Sequence, residues 1–404
     1  MVRFLLTADV QLGMRATDVP EVAAEVRKAR FEALRRVVAL AKKEAVDFVV
    51  VAGDLFQDNQ VSAETAYQAA AILAEAAPIP VYVLPGNHDP LSTDSVYRRA
   101  AFTDRRPSNV TVLESDEPVA IPESQCTLYP CPVWERRSSF DPTAGRTERR
   151  RAEGQAISIG VAHGSLAIEG RHSPDDHPIA VNAAERLGLD CLALGHWHSH
   201  FVHGTHTLYP GTPEPTAFEE RDSGSVCLVS IERPGAAPRI ECRPVGQLQW
   251  LLWEVELPTH SLEDLRQRVE SLENRDRTLL RIVLTGAVDA ADLLALDDFE
   301  AWLRAQGVLY VDLRREVAPT HVLMSALGRL AEEDPVLAGA IADLERLASL
   351  DAPGDASELA AEPRPVEELL SLWTEARGAE TVDRAAAAAE AVARLAQFSQ
   401  EMLR

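Results

Sequence analysis

Five short segments of this 404-residue chain carry side chains suited to metal and phosphate chemistry: Asp9 with Gln11, Asp54, Asn87 with His88, His163, and His196 with His198. Carboxylate, amide and imidazole donors together make a borderline-hard ligand set, which suits manganese or iron better than magnesium alone. No thiolate stands among them, which argues against structural zinc. Asp54, central in the group, is the natural bridge between two cations about 3.5–4 Å apart. His196 and His198 are two residues apart on a segment expected to be extended, so both rings can face the same way.

Each segment follows a short apolar run. Residues 2–8, 48–51, 79–83, 157–162 and 191–194 read as strands, and the third leads into Leu84-Pro85-Gly86-Asn87-His88-Asp89, where Pro-Gly turns the chain sharply. Helices are expected at 21–44, 62–77, 181–187 and near 94–102. Strands that are continuously apolar and alternate with helices indicate a sheet buried on both faces. In such a sheet the carboxyl ends of the strands share one edge, where ligands bind. A lone Gly-Asp after a strand is ordinarily a turn, and a lone His-Gly ordinarily carries nothing. Five such pieces, each at a strand end, form a set that packing alone does not explain.

The net charge of −23 repels polyanions at long range and counts against an indiscriminate nucleic-acid coat. Bound cations or local basic patches can still reverse the field at a site. One such patch is Arg136, Arg137, Arg146, Arg149, Arg150 and Arg151, which is either a solvated helix face or a phosphate-contacting surface. No run of about 18 apolar residues exists to span a membrane. The five cysteines include no CxxC pair, so a zinc ribbon is not expected; they read as reduced, mostly buried thiols of a cytoplasmic protein.

Strands at 225–232 and 239–243 are expected to close a first domain, residues 1–246. A β-α-β-α-β unit follows at 247–318, and none of it looks catalytic. Residues 319–404 read as an acidic helical region with a flexible break at 350–366, where Pro353-Gly354 and Pro363-Arg364-Pro365 fall. Its closing helix sets Val392, Leu395, Phe398 and Met402 on one stripe, either core or a docking face for a partner helix.

Asp9-Val10-Gln11, Gly53-Asp54-Leu55-Phe56, Gly86-Asn87-His88-Asp89, His163-Gly164 and Gly195-His196-Trp197-His198 resemble the calcineurin-like metallophosphoesterase superfamily. Gly-Asp-Leu-Phe and Leu208-Tyr209-Pro210-Gly211-Thr212 resemble, further, its double-strand-break repair exonucleases of the SbcD type. The resemblance implies an α/β/β/α two-sheet sandwich with a small α+β cap domain facing DNA. It also implies two divalent cations, most often manganese, and hydrolysis of DNA phosphodiesters beside a coiled-coil ATPase of the SbcC type, with homodimerisation common in the branch. Carried over by position, Asp9, Gln11, Asp54 and His198 would hold one cation. Asp54, Asn87, His163 and His196 would hold the other. His88 would stabilise the transition state or protonate the leaving oxygen, with Asp89 orienting its ring.

Two positions depart from the pattern. Histidine is usual where this chain has Gln11, and common where it has Gln57. A glutamine oxygen is a weaker donor than imidazole for a transition metal, and Gln57 can donate to a phosphate but cannot shuttle a proton. Alternatives from other classes are a phosphatase or cyclic-nucleotide phosphodiesterase of the same superfamily, and a scaffold subunit with a weakened metal site.

Overall fold

The computed structural model describes residues 1–144, 156–171, 173–257, 259–288 and 290–319, with residues 339 and 342. The chain divides into two compact units, Met1–Gln249 and Trp250–Arg404. The first contains, in order, β1 (Val2–Thr7), α1 (Ala23–Lys43), β2 (Phe48–Ala52), α2 (Ala63–Ala74), β3 (Val81–Leu84), α3 (Ala100–Thr103), β4 (Val110–Val112), β5 (Val119–Ile121) and β6 (Cys126–Cys131). It continues with β7 (Ile157–His163), α4 (Ala183–Leu187), β8 (Cys191–Gly195), β9 (Phe201–His203), β10 (Thr207–Tyr209), β11 (Ser225–Ile231) and β12 (Arg239–Pro244).

These strands form two six-stranded sheets, ordered β12-β11-β1-β2-β3-β4 and β5-β6-β7-β8-β10-β9. The strands read from sequence as one edge are thus divided: β1, β2 and β3 deliver Asp9, Asp54 and Asn87 from the first sheet, while β7 and β8 deliver His163 and the 196–198 segment from the second. Pairing is parallel along β1-β2-β3-β4 and β6-β7-β8, so the carboxyl ends within each series share a side.

Alternation along the strands explains the layers. On β1, Phe4 and Leu6 point into a core shared with Ile159 and Val161 of β7 and Cys191 and Ala193 of β8. Leu5, between them, packs with Val37 and Val38 of α1, and Ile72 and Leu73 of α2 join the same core. On the far side of the second sheet, Leu192, Leu194 and Tyr209 pack with Ala183 and Leu187 of α4. The order is α/β/β/α, as the resemblance implied. The helix expected near 94–102 is instead a 3-10 turn, Val96–Arg98, followed by the short α3. β9 and β10 were not expected.

The second unit has a three-stranded sheet, β13 (Gln249–Leu257), β14 (Thr278–Val288) and β15 (Tyr310–Pro319), with α5 (Leu262–Glu270) and α6 (Ala290–Arg304) between strands. β14 and β15 run parallel, as a crossover helix requires. Ser261 caps α5 through a reciprocal pair with Asp264. Leu265 and Val269 of α5 and Phe299 and Leu303 of α6 bury one sheet face. No helix among the described residues is long and apolar enough to cross a membrane.

Candidate metal centre

β1 and β2 end in a continuation of their pairing: the amide of Asp9 donates to Gly53 O, that of Gln11 to Asp54 O, and that of Leu12 to Leu55 O. Holding side chains on this turn requires unusual backbone. Asp9, Gln11, Asp54 and His196 have φ of 54°, 48°, 54° and 105°, four of the nine positive-φ non-glycine residues described. Each costs roughly 1–3 kcal/mol, so the surrounding hydrogen bonds must over-determine them. Two glycines permit the close approach. A Cβ on Gly53 would sit 2.0 Å from His163 Nδ1, and one on Gly86 would sit 2.2 Å from Asp54 Oδ1.

The seven candidate ligands converge. Asp9, Asp54 and His163 present donor atoms within 4.8 Å of one another, all buried. Asn87 Oδ1 lies 2.8 Å from His163 Nε2 and 2.9 Å from His196 Nδ1. Gln11 Nε2 lies 3.1 Å from His198 Nε2. Turning the Gln11 amide over would present its oxygen at that place instead.

Each histidine is oriented from behind. His163 donates from Nδ1 to Ala52 O at 2.9 Å, His196 Nε2 faces Asp176 Oδ1 at 2.9 Å, and His198 Nδ1 faces Glu220 Oε1 at 2.7 Å. The outer nitrogen is therefore engaged in all three rings, and the inner nitrogen points into the cluster. This is the arrangement by which proteins fix imidazoles for a metal. Inside the cluster, Asp54 Oδ2 is buried and lacks a well-formed hydrogen bond, with His163 Nε2 3.4 Å away. Oriented imidazoles, buried carboxylates and this orphaned oxygen fit a divalent cation.

The electrostatics agree. Burial pushes Asp54 up, but the neighbouring His163 outweighs it and holds the carboxyl well below the usual range. Burial would lower His163, yet Asp54 and Asp9 raise it to about 9. Asp9 is raised by burial, with His163 and His198 opposing. Asp176, hydrogen-bonded by His196, is held down at about 2. Asp54 thus stays ionised against a proton held by His163, and a cation can take that proton's place.

His88 stands apart from the ligands. Its backbone N–H donates to Asp54 Oδ1 at 2.9 Å, and its ring Nδ1 lies 2.9 Å from Gln57 O and 3.3 Å from Gln57 Nε2. The expectation that Asp89 orients this ring does not hold. Asp89 is fully buried and accepts from Phe56 N, Gly86 N and Tyr97 OH, bracing the turn that carries Asn87 and His88. Desolvation followed by the nearby Asp54 raises its carboxyl to about 7. The expected extended 196–198 segment is also absent: β8 ends at Gly195, and His196 turns at positive φ. Trp197 fixes that turn by stacking 4.6 Å from Tyr209 and donating to Ser165 Oγ.

Asp176, Glu220, Thr216, Tyr97 and the buried Arg30 were missed by sequence reasoning. Arg30, on α1, donates to Val10 O at 2.8 Å and Pro215 O at 3.1 Å, tying the Asp9–Gln11 turn to the 214–215 loop. Arg171 was missed as well; it lines an open cavity of about 430 Å³ with His196, His198 and Phe201. Of the arginine patch, Arg136 and Arg137 are exposed on irregular chain rather than on a helix, and Arg137 lies 3.3 Å from Asp175. Arg146, Arg149, Arg150 and Arg151 lie outside the described residues.

Residues 2–200 match the calcineurin-like phosphoesterase family. The chain is 26% identical over 247 residues to the uncharacterized metallophosphoesterase YhaO of Bacillus subtilis, covering 56% of this chain and 57% of that one. It is 25% identical over 236 residues to the DNA double-strand break repair protein Mre11 of Methanopyrus kandleri, covering 54% and 50%. The matched stretches thus span about half the length of these curated relatives. Among solved structures, TT1561 of Thermus thermophilus matches with a TM-score of 0.38 and 13% identity, over 60% of this chain and 99% of that one. The family match spans β1 through the His196–His198 turn, the stretch that supplies every candidate ligand, so over these residues the chain is similar to calcineurin-like phosphoesterases.

Proposed function

We propose that this protein is a two-metal phosphodiesterase that cleaves DNA, the nuclease subunit of a repair complex with an SbcC-type coiled-coil ATPase. The observation that carries the reading is the inward facing of three histidines, each anchored from behind, around the buried Asp54 carboxylate, whose Oδ2 lacks a well-formed hydrogen bond. Asp9, Gln11, Asp54 and His198 would hold one cation, and Asp54, Asn87, His163 and His196 the other. When bound, divalent cations, most readily manganese with iron or magnesium as substitutes, supply Lewis-acid polarisation of the phosphodiester and acidify water.

The chain's own residues supply the rest. His88 donates from Nδ1 to Gln57 O, which leaves Nε2 to meet the departing sugar oxygen. Arg171 supplies a positive charge beside the cavity at His196 and His198, where a phosphate can be positioned. DNA as the substrate is supported by relatives named as DNA double-strand break repair proteins, one aligned over 83% of this chain at 22% identity. In this reading the unit beginning at Trp250 is the DNA-facing cap. The partner-docking helices proposed for 319–404 lie, apart from residue 319 and the isolated residues 339 and 342, outside the described residues.

A second reading, hydrolysis of a small phosphate ester, is favoured by the net charge of −23, which opposes a polyanion. End-labelled duplex DNA with manganese separates the two. Degradation that is lost in Asp54→Asn supports the nuclease. Turnover of para-nitrophenyl phosphate esters without DNA cleavage would replace that reading with the phosphatase. Metal analysis showing neither ion bound would leave a scaffold subunit. Co-purification with a large coiled-coil ATPase tests the partner, and sedimentation tests the homodimer.

A further inference from the structure

We propose that His200, Cys227 and Cys242 form a separate site for one thiophilic divalent cation of the zinc class. Cys227 lies on β11 and Cys242 directly opposite it on β12, so the antiparallel register places both thiols on one face. His200 follows the His196–His198 turn immediately and precedes β9. One donor atom from each of the three lies within 4.8 Å of the other two.

The spacing matches a tetrahedral centre. With metal–sulfur and metal–nitrogen bonds of about 2.3 and 2.0–2.1 Å, sulfur and nitrogen ligands stand about 3.5–3.6 Å apart. Cys227 Sγ and His200 Nδ1 are 3.6 Å apart. A pair of thiols and an imidazole select zinc-class ions over the hard cations that carboxylate and amide oxygens accept. Cys227 is buried, Cys242 is exposed, and β12 is an edge strand, so solvent can reach the fourth position.

The site is distinct from the cluster at Asp54, which contains no sulfur, and does not depend on the hydrolytic reading. Its consequence is mechanical. A cation there would clip the end of the turn that presents His196 and His198 to the edge of the opposite sheet. No sequence motif announces it, because the three residues are brought together by strand register.

The test is cobalt(II) titration of the full chain, reduced and freed of metal. The expected result is a near-ultraviolet thiolate-to-cobalt charge-transfer band that rises with added cobalt to a plateau and is abolished by excess zinc. Cobalt bound at the Asp54 cluster gives no such band. Cys242→Ser, at an exposed position, should keep the native circular dichroism and lose the band, and His200→Ala should lose it as well. Absence of the band in reduced wild type overturns the proposal. So does a band that survives in Cys227→Ser/Cys242→Ser, or a Cys227–Cys242 disulfide that resists reduction.

Discussion

Nδ1 of His88 lies 2.9 Å from the main-chain oxygen of Gln57, so the ring is oriented by backbone and not by a side chain. The Gln57 amide is a secondary contact at 3.3 Å. His88→Ala should therefore lower phosphodiester cleavage by about 10²–10⁴-fold with metal content unchanged. Gln57→Ala should cost under about tenfold, because the orienting carbonyl remains. Steady-state rates and bound-metal analysis check both, and metal loss in His88→Ala would reassign that residue.

Gln11 stands 3.1 Å from the His198 ring, where an imidazole would donate more strongly to a transition metal. Gln11→His should tighten manganese binding by about tenfold, or 1.4 kcal/mol. Calorimetric titration reads this directly, and equal affinities in the two proteins would sink the idea.

Asp176 and Glu220 act on different histidines. Asp176→Ala should weaken the cation held with His196, and Glu220→Ala the one held with His198, each by about 10–100-fold. A two-step manganese titration should show a different step moving in each variant. Both steps moving together would mean that the carboxylates hold the loop rather than the rings.

Glu214 is buried and accepts from Gln247 N and Leu248 N, each at 2.8 Å. Burial, partly offset by those amides and Arg30, raises its carboxyl above 4.5. A folded state that holds this proton more tightly than the unfolded chain is favoured below 4.5, and loses that advantage as pH rises through the raised value. Glu214→Gln removes the titration. The stability difference, wild type minus variant, should fall with rising pH across that window in urea unfolding series, and a flat difference would refute the linkage.

The strands that carry the site were legible because β2 and β8 are uninterrupted apolar runs and β1 and β7 nearly so, the mark of strands buried on both faces. β9 and β10 were not, since three residues such as Phe201–His203 give no period to read. The ligands were legible as strand-end polar residues. Asp176 and Glu220 were not, because they reach their histidines from irregular loops, where neither spacing nor polarity distinguishes them from solvated carboxylates. The role given to Asp89 failed for a related reason. Adjacency to His88 in sequence said nothing about the Tyr97 hydroxyl and the two amides that face it.

The orphaned Oδ2 of Asp54 has a consequence outside catalysis. A cation that engages it binds the folded protein and not the unfolded one, so thermal midpoint rises with free metal concentration. Metal starvation would then deplete this protein twice over, by silencing each molecule and by shortening its lifetime against proteolysis.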